Sequence, residues 1–550
     1  MSLIKYYFKM SDDAIDEMNK INLLEINNCH LVIQNIPLNI LIKYNEGEYS
    51  DKLNKILEII NLFKNKINGK MIIDLNFLIN KDIELPKEVS FYQSFLVFFY
   101  SFINLYYTYN QFILIRFPQL FLINNKDINF DYKITIDLSK NQININEKNY
   151  NFNPKKSNIF NIAEKIILQI NKSKLLNNYK LFQYNFTCLA GTFDRCHRGH
   201  FLLIQISLLL CKSHWFLGVC SDEMIKHKGP FSLLQTNYVR RKKIEELVNI
   251  NGKNKDNCKY DIGSIYDAVD MAGIEKDLEC LIVTTESHKG GLYCNEVRKK
   301  NNIKPVDLCT VNVIKINLEE EKKISSSIIR KEILSIIPIE KINKINLVFK
   351  NLCVNIKCKN EDLINYWWNE ILNQYTKKWK YYHNINHIYS FIELYDKYNN
   401  LIEKEKNEFL LSIFFHDIIY IPSRNDNEIE SIKLLNKFYI EAEPKDLNKE
   451  KIIELISETQ NHLLNKEYKE DINLFLDMDM QIIAQENWEE YEDNIRKEYS
   501  FIDYNIYKIK RKEFLERLAK KEKIFRTKTF YELFEKDGRN NIKNIIDKLN

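Results

Sequence analysis

Hydrophobic and polar positions divide the chain into three blocks. Residues 1–180 mix apolar runs such as MIIDLNFLI with alternating segments such as DYKITIDL and QININE, which is typical of an α+β domain. From 181 to 340, the short runs FTCLAG, HWFLGVC, ECLIVTT and CTVNVIKI alternate with helical patterns, which predicts an α/β domain with a mostly parallel sheet. Residues 360–550 are helical in period and predict an all-α domain. The polar stretch 336–360, which contains Pro338, is the expected boundary.

The segment from Ser90 to Ile115 carries no formal charge and is long enough to span a bilayer. It also contains many Tyr, Gln, Asn, Ser and Thr residues. We therefore expect core strands or a buried helix here, and a membrane-associating surface or a true span is the alternative.

Composition adds one localised signal. The chain of 550 residues has 12 glycines, whereas average usage of about 7% would give roughly 38. Nine of the 12 lie between Gly191 and Gly291. One region of the central block therefore needs glycine, and the rest of the chain does not.

Charge and cysteine usage exclude some classes of protein. Eighty basic and 75 acidic residues give a net charge of +5, which does not indicate nucleic acid as a partner. The eleven cysteines contain no CxxC pair, which indicates reduced thiols. The first residues, MSLIKYYFKMSDD, show neither a signal-peptide nor a transit-peptide pattern. We expect a cytoplasmic protein, and the sequence leaves its oligomeric state open.

A phosphate-binding pattern opens the central block. The strand FTCLA runs into GTFDRCHRGH, where Gly191 permits a tight turn and a helix then begins with His197, Gly199 and His200 in its first turn. A helix N-terminus offers unpaired N–H donors and a partial positive charge, so phosphate is its natural ligand.

The segment GTFDRCHRGH resembles the HxGH signature of the nucleotidyltransferase superfamily, which has a Rossmann-like fold, and its wording is closest to eukaryotic-type phosphopantetheine adenylyltransferase. LIVTTESHKGG and KISSSIIRKEIL resemble two further motifs of this family, in the same order. Ala190 departs from the family, which usually has a second glycine there. The resemblance implies AMP transfer from ATP to 4′-phosphopantetheine, with Mg²⁺ accompanying ATP, to give dephospho-coenzyme A and pyrophosphate.

The resemblance also implies roles for individual residues. The catalytic candidates are His200, His197, Lys226 and Lys228, and which lysine contacts phosphate stays open. The candidates for binding ATP or the acceptor are Gly191, Thr192, Phe193, Gly199, Glu286, Gly290, Gly291, Ser325, Ser326, Ser327 and Arg330. The alternative is another HxGH enzyme, a nicotinamide-mononucleotide adenylyltransferase or a cytidylyltransferase.

Metal-type ligands recur through the last block. WKYYHNINHIYSF, FLLSIFFHDIIY and FLDMDMQIIA read as helices that contribute His387, His416, Asp417 and Asp479, with Asp477 as the alternative fourth ligand. Imidazole with carboxylate suits a divalent cation such as Mn²⁺, Fe²⁺ or Mg²⁺, which would activate a bound water.

This ordered set resembles the HD-superfamily metal-dependent phosphohydrolases, in a group marked by YHN-xx-H, FHD, NE-xx-S, T-xx-H and LDxD. The resemblance implies a phosphohydrolase whose substrate the sequence does not identify. His383, Glu428 and His462 would serve the substrate phosphate, a proton relay or the surroundings of the ligands. The alternative is a domain that only binds partners.

Overall fold

A computed structural model of the chain describes residues 29–36, 70–77, 87–106, 112–116, 121–122, 132–137, 142–145, 148–151, 178–251, 253–254, 258–312, 323–377, 379–402, 404–422, 424–463, 468–500 and 502–549. The chain forms two compact units, Met1–Arg330 and Lys331–Asn550. The division into three domains, 1–180, 181–340 and 360–550, stays a prediction.

The N-terminal part of the first unit contains a six-stranded sheet in the order β3-β2-β1-β5-β6-β7. Its elements are β1 Cys29–Ile36, β2 Lys70–Phe77, α1 Val89–Tyr106, β3 Phe112–Arg116, β4 Phe121–Leu122, β5 Tyr132–Asp137, β6 Gln142–Ile145 and β7 Lys148–Asn151. The sheet is parallel from β3 to β5 and antiparallel from β5 to β7. Strands β2, β5 and β6 lie where the apolar and alternating segments predicted them.

Helix α1 occupies most of the uncharged segment, and its described apolar side chains are buried except for the partly buried Val97. Tyr100 on α1 donates a 2.6 Å hydrogen bond from its hydroxyl to Oε1 of Gln205, which is buried in the central part of the unit. The interpretation as a helix is therefore confirmed for residues 89–106, and its burial is confirmed within residues 89–100. Within the described residues, none of the helices combines the length and hydropathy needed to cross a bilayer.

The central part of the first unit is a five-stranded parallel sheet in the order β11-β9-β8-β12-β13, flanked by helices as in a Rossmann-like domain. Its strands are β8 Tyr184–Gly191, β9 Cys211–Cys220, β11 Lys259–Ile265, β12 Cys280–Thr284 and β13 Asp307–Val311, and the short β10 Lys253–Asn254 pairs with β4. The helices are α2 Arg198–Leu210, α3 Asp222–Ile225, α4 Asn237–Asn251, α5 Asp270–Ile274, α6 His288–Lys300 and α7 Ser326–Ile336. From β8 the chain proceeds to β9 on one side and later to β12 on the other. This reversal creates a crevice at the carboxyl ends of the strands, where open α/β sheets bind ligands.

The second unit is helical in its described part. Its helices are α8 Ile339–Asn355, α9 Glu361–Tyr375, α10 Ile385–Tyr398, α11 Lys406–Phe415, α12 Asn427–Ala442, α13 Lys449–Glu458, α14 Glu470–Met480, α15 Trp488–Glu498, α16 Tyr504–Ala519 and α17 Lys528–Lys548. Polar side chains begin several of them: Asn360 accepts a hydrogen bond from the Leu363 amide, and Thr527 accepts one from the Phe530 amide. Such caps satisfy amides that have no partner within the helix.

The stretch 336–360, which we expect to be a domain boundary, is largely helical, because α8 fills most of it. Ile342, Ile345, Phe349 and Leu352 are buried along one face of this helix. The Lys and Asn residues between them occupy the other positions, so the stretch reads as polar although it carries a helical apolar stripe.

Candidate active sites

The turn from β8 to α2 brings the two predicted histidines together. His197 is the N-cap of α2, and its ring stacks on that of His200 with centroids 3.9 Å apart. The amide of His197 donates to Nδ1 of His200 over 3.4 Å, so Nε2 of a neutral His200 carries the proton. Gly199 lets the two rings pack closely, because a Cβ there would lie 3.1 Å from the His197 ring. Together they place two imidazoles at the start of a helix.

Both imidazoles are held neutral at physiological pH. Burial, followed by the charge of Lys228, lowers the pKa of His200 to about 4. Burial and the neighbouring His200 hold the pKa of His197 well below its usual value. Nδ1 of His197 is buried and has no hydrogen-bond partner among the described residues. The pair therefore offers polar ring atoms rather than fixed charges to an anion.

Acid should weaken this part of the fold. The unfolded chain protonates its histidines near pH 6.5, whereas folded His200 does so near pH 4, so acid favours the unfolded chain between these values. We expect the free energy of unfolding to fall as the pH drops from 7.5 to 5. In His200→Gln the fall should be smaller by about 1–2 kcal/mol. Urea denaturation at the two pH values measures this, and equal falls in both proteins would contradict the assignment.

Lys228 and Lys226 occupy different surroundings. Nζ of Lys228 donates to Oγ1 of Thr192 over 2.7 Å, which places its charge beside the β8–α2 turn. Nζ of Lys226 lies 2.6 Å from the carboxylate of Glu223, and both side chains are largely exposed. The structure thus brings Lys228, but not Lys226, into contact with a predicted site residue.

A buried ion pair ties the late serine motif to the same turn. Arg330 pairs with Asp194, and its guanidinium also donates to the carbonyl of Lys228 over 2.9 Å. Ser326 donates from its hydroxyl to the carbonyl of Asp194 over 2.6 Å, and Ser327 accepts from Arg330. These groups hold α7 against the β8–α2 turn. Direct ATP binding by Arg330, Ser325, Ser326 and Ser327 stays a prediction.

Two buried residues that the sequence did not single out position this turn. Arg240, on α4, donates to the carbonyl of Thr192 over 2.7 Å and pairs with Asp222 over 2.7 Å. The backbone amide of Gln235 donates to Oδ1 of Asp194, and the side-chain Oε1 of Gln235 accepts from the backbone amide of Arg195. Arg240 lies in the run NYVRRKK, which reads as a solvated helix face, so only its burial reveals the role.

The predicted Gly-Gly segment lies beside the crevice. Gly290 and Gly291, on α6, line a cavity of about 110 Å³ together with Ala190 on β8 and Val283 on β12. A Cβ at Gly290 would meet open space, whereas one at Gly291 would lie 3.1 Å from Leu308 and 3.2 Å from Val283. A side chain would therefore fit at the exposed Gly290, whereas Gly291 permits close packing of α6 on the sheet. Glu286 pairs with Lys323 on the surface.

Four ligand-type residues meet in the helical unit. His387 on α10, His416 and Asp417 at the end of α11, and Asp479 on α14 have ligand atoms within 4.8 Å of one another. Nε2 of His387 lies 3.0 Å from Nε2 of His416 and 3.3 Å from Oδ1 of Asp479. Two imidazoles and two carboxylates are a donor set that fits a divalent cation. We call these residues the four-residue cluster.

The orientation of His416 and the charges around it are consistent with a divalent cation at the four-residue cluster. Nδ1 of His416 lies 3.0 Å from the carbonyl of Ile413, which directs Nε2 toward the cluster. Burial alone would lower the pKa of His416. The negative charges of Asp417 and Asp479 have the larger combined effect and raise this pKa to about 10. The pKa of Asp479 is held well below its usual value because its imidazole neighbours outweigh burial. The carboxylates thus attract positive charge to this position.

Asp477 does not join the cluster. Its carboxylate accepts 2.7 Å hydrogen bonds from the amides of Arg526 and Thr527 and from the Thr527 hydroxyl. Thr527 is the N-cap of α17, so Asp477 anchors the start of that helix. Of the two aspartates that the sequence offered, Asp479 is the one beside the histidines.

The remaining predicted residues line a chamber next to the cluster. His383 stacks on Tyr420 at 3.6 Å and lies 2.7 Å from Glu498, and His462 lies 2.9 Å from Asp479. Burial raises the pKa of Glu428. His383, Glu428 and His462 share a cavity of about 380 Å³ with Asp417 and Asp479. Glu498, Tyr420 and the buried Lys380, which donates to the Asp417 carbonyl over 2.7 Å, were not predicted.

Comparison with known proteins places the central segment in a class. Residues 188–332 match the family model described as cytidylyltransferase-like. With the parallel sheet and the histidine pair at the start of α2, this defines a nucleotidyltransferase domain.

Individual relatives narrow the class to a family. The chain is similar to the phosphopantetheine adenylyltransferase of Thermococcus kodakarensis, 34% identical over 148 residues that cover 27% of this chain and 86% of the relative. The Pyrococcus horikoshii protein of the same name is 35% identical over 144 residues, covering 26% and 85%. The Saccharomyces cerevisiae one is 25% identical over 151 residues, covering 27% and 48%. Through its central segment, the chain belongs to the phosphopantetheine adenylyltransferase family.

Proposed function

We propose that the central site transfers AMP from ATP to 4′-phosphopantetheine and releases dephospho-coenzyme A and pyrophosphate. The observation that carries the proposal is the stacked pair His197 and His200 at the start of α2, with Lys228 and Thr192 beside it. The archaeal relatives named for this activity align over most of their length. ATP and 4′-phosphopantetheine are the partners that this proposal requires.

Catalysis of this adenylyl transfer mainly requires that the substrates are aligned and that the negative charge on their phosphates is stabilised. The acceptor phosphate is already an anionic nucleophile, so no covalent intermediate is needed. His200, neutral and protonated on Nε2, would donate to a phosphate oxygen, and Lys228 would neutralise charge on the same side. Thr192 would hold the acceptor phosphate. Mg²⁺ would enter with ATP.

The two lysines give a matched test of this assignment. Lys228→Ala should lower kcat/KM for pyrophosphate release about 10-fold, because it removes a cation aimed at the β8–α2 turn. Lys226→Ala should stay within about twofold of the parent, since it breaks only an exposed surface pair. Steady-state kinetics decide between them, and equal losses, or a larger loss in Lys226→Ala, would contradict the assignment.

A panel of acceptors tests the proposed reaction. The full chain would be incubated with ATP and, separately, 4′-phosphopantetheine, nicotinamide mononucleotide or choline phosphate, with CTP replacing ATP in a parallel series. We expect pyrophosphate release with ATP and 4′-phosphopantetheine. Release only with another pair would assign one of the alternative nucleotidyltransferase activities.

For the helical unit we propose a metal-dependent phosphohydrolase of the HD type. The supporting observation is the four-residue cluster beside a chamber that contains His383, Glu428 and His462. His387, His416, Asp417 and Asp479 would hold the cation, Mn²⁺, Fe²⁺ or Mg²⁺. When bound, such an ion lowers the pKa of a coordinated water.

The chain's own residues would orient substrate and move protons around that position. Glu428, whose pKa is raised by burial, lines the chamber and would exchange a proton with the substrate, and His462 would orient Asp479, which lies 2.9 Å from its ring. Phosphate release from p-nitrophenyl phosphate and a set of phosphate esters, with each metal in turn, tests the proposal. No turnover of any compound with any metal would indicate a domain that only binds partners.

A further inference from the structure

Two chambers of different chemistry reach the four-residue cluster. The first, of about 380 Å³, is the aromatic chamber, and it is lined by Asp417 and Asp479 of the cluster. The second, of about 450 Å³, is the amide chamber, and it is lined by His387 and Asp479. Tyr382, Ile482 and Tyr491 contribute to the lining of both chambers. Each volume is in the range of small-molecule sites.

The aromatic chamber is suited to a planar ring. Away from the cluster its lining includes Tyr420, Tyr499, Tyr507 and Phe514, and the hydroxyls of Tyr420 and Tyr499 lie 3.4 Å apart. Aromatic side chains stack on nucleobases because every base has a flat π-face. Of its two cations, Arg511 already pairs with Glu492 over 2.9 Å. The chamber therefore offers ring surfaces rather than a site for a second highly charged group.

The amide chamber has a different lining. Six of its residues carry carboxamides: Asn384, Asn386, Gln481, Gln485, Asn487 and Asn494. Several are oriented by contacts within the protein, such as the 2.7 Å hydrogen bond from Gln485 to Gln481. Carboxamides both donate and accept, so they match amide and hydroxyl groups of a neutral ligand.

A phosphate monoester has an organic group on one side of the phosphorus only and would use one chamber. We propose that the cluster acts on a mixed phosphoanhydride, with an aromatic base in the aromatic chamber and an amide-bearing chain in the amide chamber. Dephospho-coenzyme A, the product of the proposed central reaction, has this structure. The inference rests on the proposed phosphohydrolase function and names its substrate class.

The step balances without a redox partner. A water oxygen forms a new bond to one phosphorus, and the bridging P–O–P bond breaks, so each phosphorus leaves as a monoester. The products are AMP and 4′-phosphopantetheine, and the two protons of the water are released as both monoesters ionise to dianions above their second pKa of about 6. The helical site would thus return the central product to the acceptor and a nucleotide.

Product analysis in ¹⁸O-water tests the proposal. The full-length His200→Ala chain, in which the central site is silenced, would be given Mn²⁺ and dephospho-coenzyme A. We expect AMP and 4′-phosphopantetheine, one of them carrying a single ¹⁸O. Turnover of p-nitrophenyl phosphate or other monoesters without cleavage of dephospho-coenzyme A would overturn the substrate class and leave the phosphohydrolase intact. No turnover of any compound would overturn both.

Variants of each chamber sharpen the test. Tyr499→Leu and Asn494→Leu should each raise KM for dephospho-coenzyme A about 10-fold, whereas the exposed Tyr504→Leu and Asn505→Leu should not change it. Calorimetry on metal-stripped protein gives a second readout. We expect each chain to bind two molecules of dephospho-coenzyme A, one at the central site and one at the helical site. The Tyr499→Leu/Asn494→Leu double variant should bind only the molecule at the central site. One site in the unsubstituted chain would overturn the proposal.

Discussion

Replacing His200 by alanine is expected to lower kcat for pyrophosphate release by the full chain about 100- to 1000-fold, the usual loss when one preorganised donor is removed. His200 stacks on His197 and presents its Nε2 proton at the start of α2. Arg195 and Arg330 do not replace that donor, because Arg195 already donates to the Leu233 carbonyl and Arg330 already pairs with Asp194.

His227→Ala is the matched control, since His227 lies exposed between the two lysines. This control should retain activity within about twofold, and both variants should unfold near the midpoint of the parent. An His200→Ala protein that keeps more than a fifth of the parent kcat would remove His200 from the catalytic machinery.

Replacing Asp479 by asparagine should lower the affinity of the helical unit for Mn²⁺ about 100-fold or more and abolish metal-dependent phosphate release. The change keeps the shape of the side chain but removes the charge that faces His387, His416 and His462. Titration calorimetry with Mn²⁺ measures the affinity, and phosphate release measures the activity.

Asp477→Asn is the control two residues away on the same helix. Asp477 anchors α17, so its substitution should lower the free energy of unfolding by about 1–2 kcal/mol. Its Mn²⁺ affinity should stay within about twofold of the parent. If Asp477→Asn lost the metal and Asp479→Asn kept it, the ligand assignment would be wrong.

Local sequence was informative where a site is built from neighbours along the chain. Gly199 and the two histidines share one helix start, so spacing alone placed them at an anion-binding position. The helical motifs that contain His387, His416 and Asp479 likewise indicated ligands on separate helices, and the structure places them together.

The sequence was uninformative where a contact joins residues that are far apart along the chain, or where burial depends on the folded structure. Arg330 was predicted as a binding residue, but its partner Asp194 lies 136 residues earlier in the chain. Strand β11 was not predicted because it is only partly buried and contains Asp261, Gly263 and Ser264, which weaken the apolar pattern. The Arg330–Asp194 pair and the partial burial of β11 both depend on tertiary packing, which local sequence patterns do not show.

We expect this chain to carry two separate active sites, and the two single variants His200→Ala and Asp479→Asn test this when each is assayed for both activities. We expect His200→Ala to lose dephospho-coenzyme A synthesis from ATP and 4′-phosphopantetheine and to keep metal-dependent hydrolysis. Asp479→Asn should show the reverse. A well-folded variant that loses both activities would contradict two separate active sites. The same conclusion would follow if both variants kept both activities.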